Sequence, residues 1–562
     1  MKLLLAACNA KYIHSNLAVY NLKAAAEGTG AEILLKEYTI NQGKDLVLGD
    51  IYLEKPDVVC FSCYIWNISF ITEVAENLHR VLPEAKLWAG GPEVSYDAVA
   101  FLRKNPWITG VMRGEGEATF RELAAYYSSG TGSLPSIAGI TWREGEQIRE
   151  NPWRDPVDLS EIPFVYQEGI EDFESRILYY ESSRGCPFSC SYCLSSIDKK
   201  LRFRSLDLVR KELQFFLDHR VPQVKFVDRT FNCRHSHAWS IWNYLLEHDN
   251  GVTNFHFEIA ADLLREEDIG LMEQMRPGLI QMEIGVQSTN PETLATIHRT
   301  MDFSRVREMV SRVRNLQRVH QHLDLIAGLP FEDYESFARS FNEVYALSPD
   351  QLQLGFLKVL KGSFMAEHTQ EYGCLYHARE PYEVLSTRWL SYDGILKLKK
   401  VESAVEVYYN SGQFRNTMAY LEPFFPDAFS MYEAIGRYYQ EQELDKISHS
   451  RLRRYDILLE FMRERMKEQE LTAMKEAMLL DLYLRENLKS RPGWAPDERT
   501  WAGAARRYIK GQKLPRTVHI EVFSGKTLLF DYEQRDPLHH NARVEEITGY
   551  PEWRRANEET DR

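Results

Sequence analysis

Cys186, Cys190 and Cys193 stand within eight residues, in the stretch ESSRGCPFSCSYCLSS (181–196), and use three of the chain's eight cysteines. Three thiols on one short loop suit a soft metal centre. Structural zinc closes its shell with four ligands, usually by adding a second pair of the same kind. No such pair follows, since Cys233 and Cys374 each stand alone. A disulfide would need an oxidising compartment. An iron–sulfur cluster usually takes four cysteines. Three would leave one iron open, as a catalytic metal requires.

The elements around this loop repeat in a strand–helix rhythm. ILYYESS (177–183) reads as a strand leading into the cysteines, and LDLVRKELQFFLDH (206–219) has helical spacing. Further strands are expected at VPQVKFVD (221–228), NFHFEIAAD (254–262), LIQMEIGVQS (279–288), HLDLIAGLP (322–330) and QLQLGFLKV (351–359). PETLATIH (291–298) and SFARSFNEVYAL (336–347) are helices among them. Six such units predict a partial (β/α)6 barrel, whose chemistry belongs at the C-terminal strand ends. That rule selects Asp228, Arg229 and Asn232 after the second strand, Glu258 in the third and Gln287 near the end of the fourth. Arg204, just after the cysteine loop, offers a planar fork for a carboxylate.

The first 140 residues show the same alternation. Apolar strands MKLLLAAC (1–8), AEILLKEY (31–38), DVVCFSCY (57–64), KLWAGG (86–91) and GVMRGE (110–115) alternate with helices, including 16–27 and 68–82. They predict a doubly wound, mainly parallel sheet that binds ligands beyond its carboxyl edge. The loops there are 9–17, 62–68, 90–95 and 114–117. GGPEVS (90–95) and RGEGEATF (113–120) carry glycines that let a ligand approach the backbone. Cys8, Cys60 and Cys63 fall in these strands and read as core thiols.

C-x3-C-x2-C, with an aromatic (Tyr192) before its last cysteine, resembles the radical S-adenosylmethionine (SAM) signature. The strand-end motifs of residues 1–140 resemble the cobalamin-binding domain of cobalamin-dependent radical SAM proteins. The resemblance implies that Cys186, Cys190 and Cys193 each bind one iron of a 4Fe-4S cluster whose fourth iron chelates the amino and carboxylate groups of SAM. Reduction then yields a 5'-deoxyadenosyl radical. It implies SAM contacts from Tyr192, Arg204, Asp228, Glu258 and Gln287. Cobalamin contacts are implied from Asn16, Ser62, Tyr64, Trp66, Asn67, Gly90, Gly91, Pro92, Glu93, Gly114, Glu115 and Gly116. Many cobalamin domains carry D-x-H-x-x-G, whose histidine ligates cobalt from below. This chain has no such motif, and His14 has no Asp two residues earlier. The implied cobalamin therefore lacks a protein histidine on cobalt, with loop 62–68 near its lower face.

The remaining sequence sets the frame. At roughly 100–200 residues per domain, 562 residues make three or four domains. The divisions are a cobalamin-binding domain (1–140), a hairpin and linker (141–170), the barrel (171–375) and a mainly helical C-terminal domain (376–562). That last domain resembles an uncharacterised one attached to some cobalamin-type radical SAM proteins. Residues 382–411, 448–467 and 472–490 read as helices and 517–533 as a β-hairpin with a Ser-Gly-Lys turn. A basic cluster, Arg506, Arg507, Lys510, Lys513 and Arg516, precedes the hairpin and reads as a solvated face, with an anionic contact (RNA or a reductase) as the alternative. A net charge of −14 argues against general nucleic-acid binding. No secretion signal or membrane span is expected, and the unpaired cysteines indicate a reducing cytoplasm.

The reading that follows is a radical SAM enzyme using cobalamin, most simply a methyltransferase acting on an unactivated carbon. A flavodoxin- or ferredoxin-type donor and a small-molecule or RNA substrate are implied. A cobalamin-dependent rearrangement, cyclisation or reduction, and an iron–sulfur nucleic-acid-binding or regulatory module, are the alternatives.

Overall fold

The computed structural model describes residues 1–548 except Glu168, Thr500 and Arg516, so the last member of the basic cluster lies outside the described residues. Residues 3–8 are apolar and fully buried, so β1 (Lys2–Asn9) has a covered sheet on both faces. It pairs in parallel with β2 (Glu32–Thr39) and β3 (Val58–Ser62). β4 (Lys86–Gly90) and β5 (Gly110–Met112) continue the sheet in parallel. Helices Leu17–Ala25 and Glu117–Ser129 cover one face around Val19, Phe120 and Leu123. Helices Lys44–Leu53 and Ile68–Val81 cover the other around Val47, Ile71 and Val74.

The hairpin expected between domains is present as β6 (Ile140–Glu144) and β7 (Gln147–Glu150), but it belongs to this sheet. β6 pairs antiparallel with β5, giving the order β2-β1-β3-β4-β5-β6-β7. The first sheet therefore runs past residue 140 to Glu150.

β8 (Leu178–Tyr180) opens the second sheet, and the short antiparallel pair β9 (Ser183–Arg184) and β10 (Arg202–Phe203) follows it. β11 (Gln223–Phe226), β12 (Asn254–Ile259), β13 (Ile280–Gln287), β14 (His320–Ala327) and β15 (Gln351–Phe356) then stack in chain order on β8, all parallel. Sequential neighbours of this kind curl into the expected open barrel, with β8 and β15 as its edges. Alternate side chains of β12–β14 are buried and, apart from Gln321, apolar, beneath the outer helices, while most of the others are polar.

Residues 382–411 do not start as a helix. Val384 is buried and its amide donates to Leu357 O at 2.8 Å, so Val384–Ser386 forms β17 against β16 (Leu375–Tyr376). Helix Tyr392–Val405 follows. With helices Ala428–Glu441, Arg451–Met462 and Glu468–Arg485 it shares one apolar core with the barrel, running from Tyr166 to Leu482. The C-terminal hairpin, β18 (His519–Phe523) and β19 (Lys526–Arg535), gains a third strand, β20 (Ala542–Glu546). Among the described residues, no helix is long and apolar enough to cross a membrane.

Candidate functional site

The cysteine loop leaves the barrel between β9 and β10, which pin its two ends together. Gly185 takes φ +93, and a Cβ there would lie 2.8 Å from Lys200 O, so the loop closes on a position only glycine fits. Its centre is tied down as well. Ser191 N donates to Ile297 O, and Met365 N donates to Ser191 O, each at 2.9 Å. Cys186 and Cys190 are buried and Cys193 half-buried. Burial pushes the Cys186 thiol up, and Cys193 and Cys190 push it further, so the three sulfurs sense one another. Among the described residues, no three His, Cys, Asp or Glu side chains converge on a point that one ion could fill. A cluster asks for less, because each thiolate takes its own iron.

One residue beside the cysteines carried no sequence signal. Arg299 follows the short helix Pro291–Thr296, so its place in the sequence is not a strand end. Its Nη1 lies 3.6 Å from Cys190 Sγ, its Nη2 donates to Gly285 O, and its Nε is buried without a partner. Soft thiols, a fixed cation and an unspent donor fit an anionic sulfide cluster.

The strand-end candidates divide sharply. Tyr192 and Gln287 line a cavity of about 590 Å³ with Asp324, Gln353 and Phe356. Gln287 sits at a bulge with φ +72, and its Oε1 is buried and unpaired. Glu258 is half-buried; desolvation raises it to about 7 against the pull of Arg229. Deeper in the barrel, Glu283 behaves oppositely. Burial opposes its charge, but the His256 hydrogen bond (2.9 Å) and Lys225 (3.1 Å) hold it down to about 2.

Arg204 and Asp228 are not placed to take a ligand. Arg204 forks onto Glu212 (2.8 and 2.5 Å) and gives its remaining arm to Leu159 O and Ile162 O. Its fork recognises a carboxylate as expected, but an internal one. Asp228 has no exposure and accepts from Ser182 N, Ser182 Oγ and Ser183 Oγ at 2.6–2.9 Å. Burial still raises it to about 6. It positions the chain entering the cysteine loop. Asn232 likewise ties Ala260 through both its amide atoms.

A second cavity, of about 600 Å³, lies between the first sheet and the barrel. Asn16, Tyr64 and Trp66 line it from one side, with His14; Glu181, Arg184, Gly185 and Arg229 line it from the other. Tyr64 and Trp66 stack at 4.4 Å and 9°. Asn16 donates to Ser62 Oγ at 3.2 Å, leaving its own Oδ1 buried and unpaired. His14 hydrogen-bonds the Tyr179 hydroxyl at 2.7 Å. A large polar ring system would meet a stacked aromatic pair and a spare acceptor here, so the residues fit cobalamin.

Other expected cobalamin contacts serve the protein itself. Asn67 donates to Cys8 O and Ser62 O, both at 2.9 Å, and braces loop 62–68 from beneath. Gly90, Gly91, Pro92, Gly114 and Gly116 do not line the cavity; Gly91 turns the chain against Cys63. Glu93 pairs with Lys361 at 3.0 Å and takes the Tyr382 hydroxyl. Glu115 pairs with Arg202 (2.5 Å) and Arg184 (3.4 Å), and Glu117 with Arg184 (2.8 Å). The acids of both glycine motifs thus grip the barrel, because they point out of the sheet edge that faces it. Cys8, Cys60 and Cys63 are buried core thiols as expected. Cys233 is half-buried, and burial pushes it up to about 11.

Fold and site together define an α/β protein with a cysteine-bearing barrel facing a doubly wound ligand domain. Residues 4–124 match the B12 binding domain, 180–344 the Radical SAM superfamily and 370–526 the protein of unknown function DUF4080. The chain is therefore a radical SAM protein with an N-terminal cobalamin-binding domain and a DUF4080 C-terminal domain. It is 27% identical over 301 residues to the cobalamin-dependent radical SAM methyltransferase TokK of Streptomyces tokunonensis, covering 50% of this chain and 44% of TokK. It is 28% identical over 294 residues to the anaerobic magnesium-protoporphyrin IX monomethyl ester cyclase of Synechocystis, covering 49% and 56%. The chain thus spans less than two thirds of either relative. The cobalamin-dependent SAM radical enzyme OxsB shares the fold, with a TM-score of 0.59 at 14% identity over 85% of this chain and 79% of OxsB.

Proposed function

We propose that the chain is a cobalamin-dependent radical SAM enzyme that methylates an unactivated carbon of a small molecule. The observation that carries this reading is the placement of Gly185, at the root of the cysteine loop, on the wall of the cavity that Tyr64 and Trp66 line from the first domain. Chemistry begun at the cysteines can reach a group held by that domain, and a shared cavity brings reacting centres together. When bound, the cluster supplies the electron that generates a 5'-deoxyadenosyl radical from SAM, and cobalamin supplies the methyl group.

The residues divide the work. Cys186, Cys190 and Cys193 hold the cluster, while β9, β10 and Asp228 fix the loop that carries them. Tyr192 and Gln287 would line the SAM site, with Glu258 on the neighbouring strand β12. Near neutral pH Glu258 can accept or share a proton, since it titrates at about 7. Asn16, Tyr64 and Trp66 would contact cobalamin in the cavity they line. A flavodoxin- or ferredoxin-type protein delivers the electron.

A second reading, cyclisation without methyl transfer, is favoured by the similarity to the Synechocystis cyclase. The test is anaerobic reconstitution with iron, sulfide and cobalamin, followed by incubation with methyl-labelled SAM, a reductant and a small-molecule extract of the source cells. Labelled product together with 5'-deoxyadenosine is expected. Deoxyadenosine without labelled product selects the cyclase-type reading. No SAM cleavage, with RNA co-purifying, overturns both in favour of a nucleic-acid-binding module. Cys190→Ala is expected to lose the cluster absorbance and at least ~100-fold of the SAM cleavage, since every later step depends on that centre.

A further inference from the structure

The radical SAM reading gives Cys190 an iron, and on that reading rests one step about its neighbour. We propose that Arg299 tunes the redox potential of the cluster, its guanidinium donating to Cys190 Sγ and to the sulfur of the bound centre.

The geometry has three parts. Arg299 is held in place, because Nη2 is committed to Gly285 O at the bulged end of β13. It is aimed, because Nη1 approaches Cys190 Sγ at 3.6 Å, within reach for hydrogen bonding to sulfur. It is not saturated, because Nε is buried with no acceptor. A buried donor left unpaired costs about 1–3 kcal/mol, so such groups usually have a partner that binds later. Asp262, the one carboxylate among the groups acting on Arg299, accepts from Asp302 N at 3.2 Å. The side-chain acceptor that the guanidinium reaches is Cys190 Sγ.

The electrostatics give the sign. A cluster with a 2+ core and three thiolates carries one net negative charge, and one added electron makes it two. A fixed cation in a low-dielectric contact stabilises the more negative form. Hydrogen bonds to cluster sulfurs act in the same direction. Arg299 therefore makes the one-electron reduction easier, with the electron supplied by a flavodoxin- or ferredoxin-type donor. Arginine suits this position because its charge never titrates and its rigid fork serves the carbonyl and the sulfur together.

The experiment is a potentiometric titration of the reconstituted full chain without SAM, read by electron paramagnetic resonance. Leaving SAM out ensures that a lost SAM contact cannot produce the effect. Arg299→Gln is expected to hold wild-type iron and sulfide but to show a reduced-to-oxidised ratio at least tenfold lower at a fixed potential, a shift of about 59 mV for one electron. Equal potentials at equal iron content overturn the proposal. Where Arg299→Gln fails to load iron, the neutral, similarly long Arg299→Met is titrated instead: a potential lower than wild type supports the role of the guanidinium, and an unchanged one overturns it. Wild-type protein that binds no cluster sinks the radical SAM reading itself, a different result from a cluster whose potential ignores Arg299.

Discussion

Glu332 shows how far burial moves a single carboxyl. It has no exposure, and its Oε1 accepts from Ser288 Oγ (2.8 Å) and Ser340 Oγ (2.9 Å), while Oε2 has no partner. Burial outweighs these bonds and raises the group to about 7. An unfolded glutamate titrates near 4.3, so the folded chain holds this proton more tightly. The stability it contributes is complete below about pH 4.3 and is lost as pH rises through 7. Glu332→Gln, which cannot ionise, is expected to melt higher than wild type at pH 8, by up to ~3 kcal/mol, and to lose that advantage below pH 5. Melting curves at the two pH values check the sign. Arg204 and Asp228 teach the matching lesson for a sequence reader. Both lie where a barrel presents ligand-binding groups, yet Glu212 and the two serines occupy them. Type and strand-end position marked them as polar and important, but only the folded partners distinguish an internal tie from an open donor.

At the scale of elements, the turn after β4 depends on one glycine of a pair. Gly91 takes φ +112, and a Cβ there would lie 2.4 Å from Cys63 O, whereas at Gly90 the nearest atom would be Met112 O at 3.5 Å. Gly91→Ala combines backbone strain with an overlap and is expected to cost ~2 kcal/mol or more, while Gly90→Ala stays within ~1 kcal/mol. Thermal denaturation of the two single variants separates them, and equal losses would refute the steric account. The strands themselves were legible, because fully covered parallel strands are unbroken apolar runs such as residues 3–8. Val384–Ser386 was not legible. Its apolar, β-branched start fits a helix face equally well, and its bond to Leu357 decides the matter. β20 was missed for a related reason: ARVEE is largely exposed and charged, and only β19 makes it a strand.

Across the whole molecule, the cobalamin-binding domain is clasped to the barrel by ion pairs at its carboxyl edge. Glu115 and Glu117 meet Arg202 and Arg184, Glu93 meets Lys361, and Glu37 meets Arg176 at 2.5 Å. These carboxylates are mostly buried, so removing one partner strands the other. In a double-mutant cycle, Glu115→Ala and Arg202→Ala are expected to couple by ~1–2 kcal/mol. Hydrogen exchange provides the readout: amides of residues 113–117 and 200–204 should exchange faster in either single variant, while those of β1 and β3 stay protected. Uniform loss of protection would mean that the pair holds up the domain itself and is not a clasp.

The sequence by itself determined the two α/β layers, the positions of most of their strands along the chain and the three cysteines, because apolar periodicity and short-range spacing are local properties of the chain. The tertiary structure alone decided which acids face a ligand and which face an arginine, that the hairpin 140–150 joins the first sheet, and that Arg299 lies against Cys190. Those outcomes depend on residues tens to hundreds of positions apart meeting in space, and no local pattern encodes such a meeting.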